Sequence, residues 1–407
     1  MLMLLIVSWR NIWRNKVRSG VVILAVALGV WGLLFLLGFT RGIVRDYVKS
    51  NIELQTSHFQ IHHPEFKKDY EAKYTVPNPN DILDSLSEDD YADQYTTRTV
   101  AGGMLNTSRG ARGMRIFGID TEREVRVTNI DEYIVEGSFF KDKRRNQILI
   151  SDNLAEKLKL SLKKKVVLTF QDTGGEIVSA AFRISGIFDT KNTPLDMSRV
   201  FVKKNDLNQL LGLGEDQFHE IAVRGGEIDL IDVQTDRWRT SFPDLSIESY
   251  KDLSPELELF NSQLRINLII MTIIFMLALI FGIINTMLMA VLERIKEFGM
   301  LLSIGMNKAK VFLMVMLETI MLSMVGVPVG VLLGIFSIAY FKKFGLDLSN
   351  FSKAMQNYGI NEVVRPYLTI DVYLFVVAAV FVTAILAAIY PARKATGLNP
   401  AEAIRSM

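Results

Sequence analysis

The sequence predicts a membrane protein with four transmembrane α-helices and a large α+β extracytoplasmic domain inserted between helices 1 and 2. Three observations predict it. The runs 19–40, 268–292, 311–341 and 372–392 carry no more than one charge each, and each is long enough to cross a hydrocarbon core about 30 Å thick at helical rise. Residues 41–267 instead mix both signs of charge with short alternating apolar patterns, which is how half-buried strands read. The composition is 49% hydrophobic and yet 22% charged, so part of the chain belongs in lipid and part in water.

Composition also removes function classes. A formal charge of +2, with no basic stripe interleaved with aromatics, argues against nucleic acid as a partner. With no cysteine, disulfides, thiolate metal sites and a lipid-modified cysteine are all excluded.

Residues 1–18 read as a cytoplasmic amphipathic segment. Trp9 and Trp13 with Arg10, Arg14, Lys16 and Arg18 suit the headgroup layer, and basic residues that follow an apolar start are the reverse of a cleaved signal, so an uncleaved anchor is expected. Four bases and no acids before the first span (19–40) place that flank inside and residue 41 outside. The region 41–267 is then external and ends in a stalk: Ser254-Pro255-Glu256 opens a helix that either runs unbroken into the second span (268–292) or stops near Asn267.

Within the external region, strands are expected at 57–63, 114–119, 147–150, 199–203 and 218–224. Ser151 caps a helix 152–160, further helices are expected near 82–86, 205–211 and 229–241, and 64–95 is otherwise loop-like. Runs 166–171 and 176–188, joined by Asp172-Thr173-Gly174-Gly175, form a hairpin. Gly102-Gly103 and Gly225-Gly226 fit turns.

Where the second span ends, Glu293, Arg294, Lys296 and Glu297 emerge at a membrane surface. The following Phe298 to Gly305 reads as a short helix along the interface stopped by Gly305. This element, 293–306, is placed to receive a push from a soluble partner; the alternative is a plain solvated loop. The third span (311–341), an external loop (342–371), the fourth span (372–392) and a cytoplasmic tail (393–407) complete four spans with both ends inside.

Glu318 is the one ionisable side chain well within a span, where a carboxylate is costly enough to suggest a role; protonation, or a bond to Asn285 or Thr319, is the structural alternative. Gly326, Gly330 and Gly334, and the pair Gly38 and Gly42, have the spacing that lets helix backbones approach, and Pro328 is expected to kink the third span. Ten of the 17 methionines fall between Met271 and Met324; they either face lipid or line an adaptable cleft for acyl chains or peptides. His58 and His62 share a strand face, next to His63, without a third metal ligand in view, and a solvated strand end is expected. No phosphate loop, nucleophile elbow or zinc-spaced cluster is present, so no catalytic residue, metal or cofactor is assigned to the chain, and energy has to enter through a partner.

The run Asn285 to Arg294 with Lys296-Glu297-Phe298-Gly299 and Ser303-Ile304-Gly305 resembles the coupling-helix signature of FtsX/MacB-superfamily (type VII) ABC-transporter permeases. The tail Tyr390-Pro391-Ala392-Arg393-Lys394-Ala395 with Asn399 to Arg405 is similar to their C-terminal signature. In layout, and in Ser57 to Pro64, the chain is most like the permease subunits of the lipoprotein-releasing LolC/LolE type. The resemblance implies a non-catalytic permease in a bacterial inner membrane that extracts lipoproteins. It would be driven by two copies of a cytoplasmic ATPase that bind ATP-Mg, and would pair with a second permease and, through a hairpin, with a periplasmic carrier. The resemblance further implies ATPase coupling through Glu293, Arg294, Lys296, Glu297, Phe298, Gly299, Leu302 and Gly305. Acyl chains would enter between the first and second spans of the two permeases, at Val30, Leu33, Leu34, Leu37, Phe275, Leu279, Ile283 and Met287. The family's carrier hook bears a proline; the corresponding hairpin here turns at Gln171, Asp172, Thr173, Gly174 and Gly175 without one. The alternatives are a MacB-like exporter of peptides, drugs or toxins and an FtsX-like regulator of a periplasmic hydrolase.

Overall fold

The computed structural model describes residues 2–92, 94–140, 144–357 and 359–397. They form two compact units: Met1–Val44 with Asn261–Asp347 and Val363–Met407, and Arg45–Phe260 with Leu348–Glu362. The C-terminal signature from Asn399 to Arg405 lies outside the described residues.

The first unit is built from the helices α1 (Leu2–Arg14), α2 (Lys16–Asn51), α3 (Pro255–Glu293), α4 (Ile295–Ser303), α5 (Lys308–Phe344) and α6 (Ile370–Thr396); all lie within it except the end of α2 and the start of α3, which belong to the second. Helices α2, α3, α5 and α6 are long and apolar enough to cross a membrane. Each outruns the uncharged stretch that announced it, because polar residues continue the helical hydrogen bonding beyond the apolar core. Of the two expectations for the second span, the unbroken one holds: Pro255, at a position where its missing N–H matters least, opens a single helix of 39 residues. Helix α5 runs without interruption through Pro328.

The unit packs through small residues. A Cβ added at Gly330 would lie 2.6 Å from the Ala27 carbonyl oxygen, and one at Gly326 3.0 Å from that of Ile23, so the glycines of α5 let its backbone rest on α2. Gly42 meets the Arg365 carbonyl in the same way, and Gly29 faces Leu279. Around these approaches Val26, Val30, Leu33, Leu34, Ile283, Met314, Val376 and Val380 form one buried cluster.

The second unit carries ten strands: β1 (Phe59–His62), β2 (Gln94–Thr107), β3 (Gly110–Ile119), β4 (Ile134–Gly137), β5 (Gln147–Ser151), β6 (Lys165–Gln171), β7 (Ile177–Phe188), β8 (Arg199–Lys203), β9 (Glu220–Arg224) and β10 (Ser246–Ser249). They pair in the order β10-β1-β9-β2-β3-β8-β5-β7-β4, while β6 bridges β2 and β7. The pairings from β2 through β3, β8, β5, β7 and β6 therefore return to β2. Two pairs, β3 with β8 and β5 with β7, are parallel. Strand alternation builds two cores: Ile116, Ile148, Ile150, Val200 and Val202 pack in one cluster, and their neighbours Phe117, Leu149 and Phe201 in another. A third gathers Phe59, Ile61, Trp238 and Ile247.

Several expectations are corrected. Gly102 and Gly103 are not a turn but the middle of β2, where a Cβ on Gly103 would sit 2.6 Å from the Thr169 carbonyl oxygen of β6; glycine permits that close strand approach. His58 and His62 are buried rather than solvated, because β9 and β10 flank β1 on both sides. The stretch 342–371 is not a plain loop: Leu346–Asp347 pairs with Val363–Val364, and 348–362 joins the second unit, where the Gly359 backbone lies against Asn192.

Candidate functional site: the interfacial element and its ion pairs

Helix α4 is short and two-faced. Phe298 and Gly299 are buried, whereas Lys296, Met300 and Ile304 are exposed; at a spacing of four these last three lie along one helix face. The helix ends as expected. Met306 N–H donates to the Leu301 carbonyl at 3.0 Å, and Gly305 takes φ +99°, a left-handed region that glycine enters without penalty.

The structure changes the reading of the charges. Glu293, Arg294 and Glu297 do not simply face solvent but pair within the unit. Glu297 is bonded by Arg14 and Glu293 is paired with Arg18. The two arginines and the two glutamates each stand four residues apart, so one spacing matches the other. Arg294 donates to Glu297 at 2.8 Å and to Glu318 at 3.1 Å, and lies over the Phe298 ring. Burial alone would raise the Glu297 carboxyl, but hydrogen bonds from Arg294 and Arg14 hold it below the ordinary carboxylate range. The Glu318 partner is therefore Arg294 and neither Asn285 nor Thr319, whose hydroxyl donates to the Val315 carbonyl. A cavity of about 280 Å³ lies among Arg14, Arg18, Glu293, Arg294, Glu297 and Glu318.

Arg14 and Arg18, read from sequence as headgroup anchors, are thus the counterions of the α4 region. The surplus of bases between residues 10 and 18, set against acids at 293 and 297 with the same spacing, was the available signal. Lys296 alone of the four charges has no ion pair among the described residues, and Leu302 is half-buried.

The eight residues expected to line an acyl entry do gather. Val30, Leu33, Leu34, Leu37, Leu279, Ile283 and Met287 are all buried, with Phe275 packed at their edge. In this conformation they are core, not an open cleft. At the hairpin from β6 to β7, Asp172 accepts from the Gly174 and Glu176 N–H groups at 2.9 Å each. The Thr173 N–H and hydroxyl both donate to the Leu211 carbonyl, so the turn is held against the helix Lys204–Leu211. Of the histidines at 58, 62 and 63, His58 accepts from the Gly225 N–H and His63 from the Glu65 N–H; among the described residues there is no group of three or more His, Asp or Glu placed to hold a metal ion.

A four-span helical unit joined to a mixed sheet domain, with a charge-clamped interfacial helix between two spans, defines a permease-type transmembrane protein. Residues 19–236 match the MacB-like periplasmic core domain and residues 269–400 the FtsX-like permease C-terminal domain; the first match alone spans more than half of the chain, which belongs to the FtsX/MacB superfamily of ABC-transporter permeases. The macrolide export ATP-binding/permease protein MacB of Campylobacter jejuni (serotype O:23/36, strain 81-176) is 22% identical over 423 residues, covering 98% of this chain and 60% of that protein. MacB of Brucella abortus (strain 2308) is 29% identical over 125 residues, 31% of this chain and 17% of that one. The chain thus spans 60% of the length of the Campylobacter relative. The solved periplasmic region of MacB from Actinobacillus actinomycetemcomitans aligns at 14% identity and a TM-score of 0.35 over 52% of this chain and 97% of its own.

Proposed function

We propose that the chain is the non-catalytic permease subunit of an ATP-driven transporter in a bacterial inner membrane, worked by a separate ATPase that docks on α4. The observation that carries this reading is the division of labour on α4. One face is locked into the unit by Phe298 and the Arg14, Arg18 and Arg294 ion pairs, and the other leaves Lys296, Met300 and Ile304 free. A push on the free face would then be felt at once by α1, α3 and α5. Two ATPase copies, a second permease and ATP-Mg held by the ATPases complete the assembly, with residues 41–267 on the periplasmic side and both ends of the chain inside.

Two cargo readings follow. The first is an exporter of peptides, drugs or toxins, and the relatives named for macrolide export favour it. The layout and the segment Ser57 to Pro64 favour release of lipoproteins, for which removing one long acyl chain costs on the order of 10 kcal/mol at about 0.8 kcal/mol per methylene. Acyl entry at Leu34 and Ile283 would require the buried cluster that holds them to open. The tethered, proline-free hairpin at 171–175 speaks against carrier recruitment by this chain.

The test is reconstitution in liposomes with the ATPase, a triacylated lipoprotein and, separately, an amphipathic peptide. ATP-dependent release of the lipoprotein supports the second reading, and ATP-dependent peptide movement alone supports the first. Failure of the ATPase to bind, with Met300→Asp and Ile304→Asp behaving as the unaltered chain, overturns the docking proposal.

A further inference from the structure

The sheet domain contains a small polar pocket with unspent hydrogen-bonding groups. Its cavity, about 50 Å³, is lined by His62, Arg115 and Arg199 among others, large enough for a carboxylate group or a water or two. Arg199 is only 6% exposed; one guanidinium nitrogen donates to the Leu54 carbonyl at 3.2 Å, and its Nε has no partner. Neither Arg199 nor Arg115 forms an ion pair among the described residues. Both ring nitrogens of His62, 1% exposed, lack a hydrogen bond.

Nearby acids do not supply the missing charge. Glu220, which also lines the pocket, is bonded to Arg98 at 2.7 Å, and the same guanidinium holds Glu124 at 2.9 and 2.7 Å. That triad carries one surplus negative charge, Lys67 cancels Glu248 at 2.9 Å, and the two free arginines bring two positive charges. Asp196 lies outside the pocket lining and is held by Thr190. Arg115 is exposed, whereas the Arg199 guanidinium is left without an ion pair among the described residues, at a position removed from water. A buried charge without a counterion is costly, and water alone does not neutralise it.

We propose that this pocket binds one small oxyanion, a carboxylate or phosphate group, between Arg199 and Arg115 with His62 completing its hydrogen bonds. An arginine fork matches both groups bidentately. Burial, with Arg98 and Arg115 nearby, pushes the Arg199 pKa down to about 9 against the opposing pull of Glu220 and Asp196. The pocket shares Gln55, Arg115 and Arg199 with a groove of about 670 Å³, so the anion is either a free ion or the charged end of a longer ligand lying in the groove. This site is independent of the cargo readings above.

The test is thermal unfolding of the full chain in detergent at constant ionic strength, with acetate or phosphate replacing a bulky sulfonate salt. The expected result is a saturable rise in midpoint of about 2–4 °C, absent in Arg199→Gln and reduced in Arg115→Gln. Should Arg199→Gln not fold, Arg115→Gln, at an exposed position, and His62→Gln carry the comparison. No rise up to 50 mM, roughly the weakest affinity of interest, or an equal rise in all variants overturns the proposal. A short peptide acting at lower concentration than acetate, when its C-terminal carboxylate is free but not when it is amidated, identifies the end of a longer ligand. Equal action of acetate and peptide identifies a free ion.

Discussion

The guanidinium of Arg294 lies 3.1 Å from the carboxylate of Glu318, 24 residues further along the chain. This pair connects the bend between α3 and α4 to the interior of α5. It also gives the one acidic group within a span a specific counterion, so the carboxylate needs no proton-relay role to account for it.

Breaking the pair is expected to destabilise the chain while replacing it is not. Glu318→Gln leaves Arg294 with Glu297 alone and should lose about 1.5–3 kcal/mol, the range for hydrogen bonds to charged groups. Arg294→Met with Glu318→Leu should recover most of that loss. Unfolding in detergent of Glu318→Gln, and of Arg294→Met, Glu318→Leu and their double, checks it; additive losses in the second set would show that the two residues do not interact.

Glu297→Arg sets a third arginine beside Arg14 and Arg294. The α4 clamp should open, and nucleotide hydrolysis by the partner ATPase should continue without cargo movement, while membrane insertion stays intact. Reversal by Arg14→Glu in the same chain would locate the effect at this contact. Normal transport by Glu297→Arg would remove α4 from the coupling role.

At Gly330 a Cβ would meet the Ala27 carbonyl at 2.6 Å, whereas at Gly20 it meets nothing within 4 Å. Gly330→Val should destabilise the helical unit by about 1–3 kcal/mol, and Gly20→Ala should be neutral or slightly stabilising. Thermal midpoints of the two variants make the comparison.

Two buried groups in the sheet domain should oppose each other in acid. Burial holds the His62 imidazole down to about 4, with Lys67 and His219 working the same way against Glu248. The unfolded chain therefore takes up its proton first, and stability conferred by neutral His62 is lost as pH falls from about 6.5 toward 4. Burial pushes the Asp196 carboxyl up to about 7 despite its Thr190 hydrogen bonds, so its contribution runs the other way, falling as pH rises from about 4 to 7. Between pH 4.5 and 6.5 the Asp196 contribution should partly offset that of His62, while His219, which burial also lowers, adds to the loss in acid. Asp196→Asn should become acid-sensitive and His62→Gln should weaken as pH rises, each read from Trp238 emission during unfolding.

The spans were legible because absence of charge over twenty residues is a one-dimensional signal. The hairpin was legible because Asp172 and the two glycines make their turn locally, and Ser151 caps its helix through the Leu154 N–H as its position suggested. What sequence hid depends on distant partners. The centre of β2 holds Gly102 and Gly103, which look like a break until β6 is known to pass against Gly103. His62 looks polar in an alternating strand, and only the flanking β9 and β10 bury it. In the α4 region the charged residues were identified, but which of them are spent on Arg14, Arg18 and Glu318 is decided by packing.

The seating of α5 on α2 also has a consequence for how the helices register. Contact at Gly326 and Gly330 reaches the main chain of α2, and Gly334 lies against the Leu34 side chain, so the seating tolerates sliding poorly and turning even less. Inserting one residue into α5 after Gly326 would swing every later position by about 100°, bringing branched side chains where only hydrogen atoms now fit. Length changes in this helix are therefore admissible in whole turns or beyond Gly334, whereas the sheet domain can accept extra residues at the tip between β2 and β3 without disturbing any such alignment.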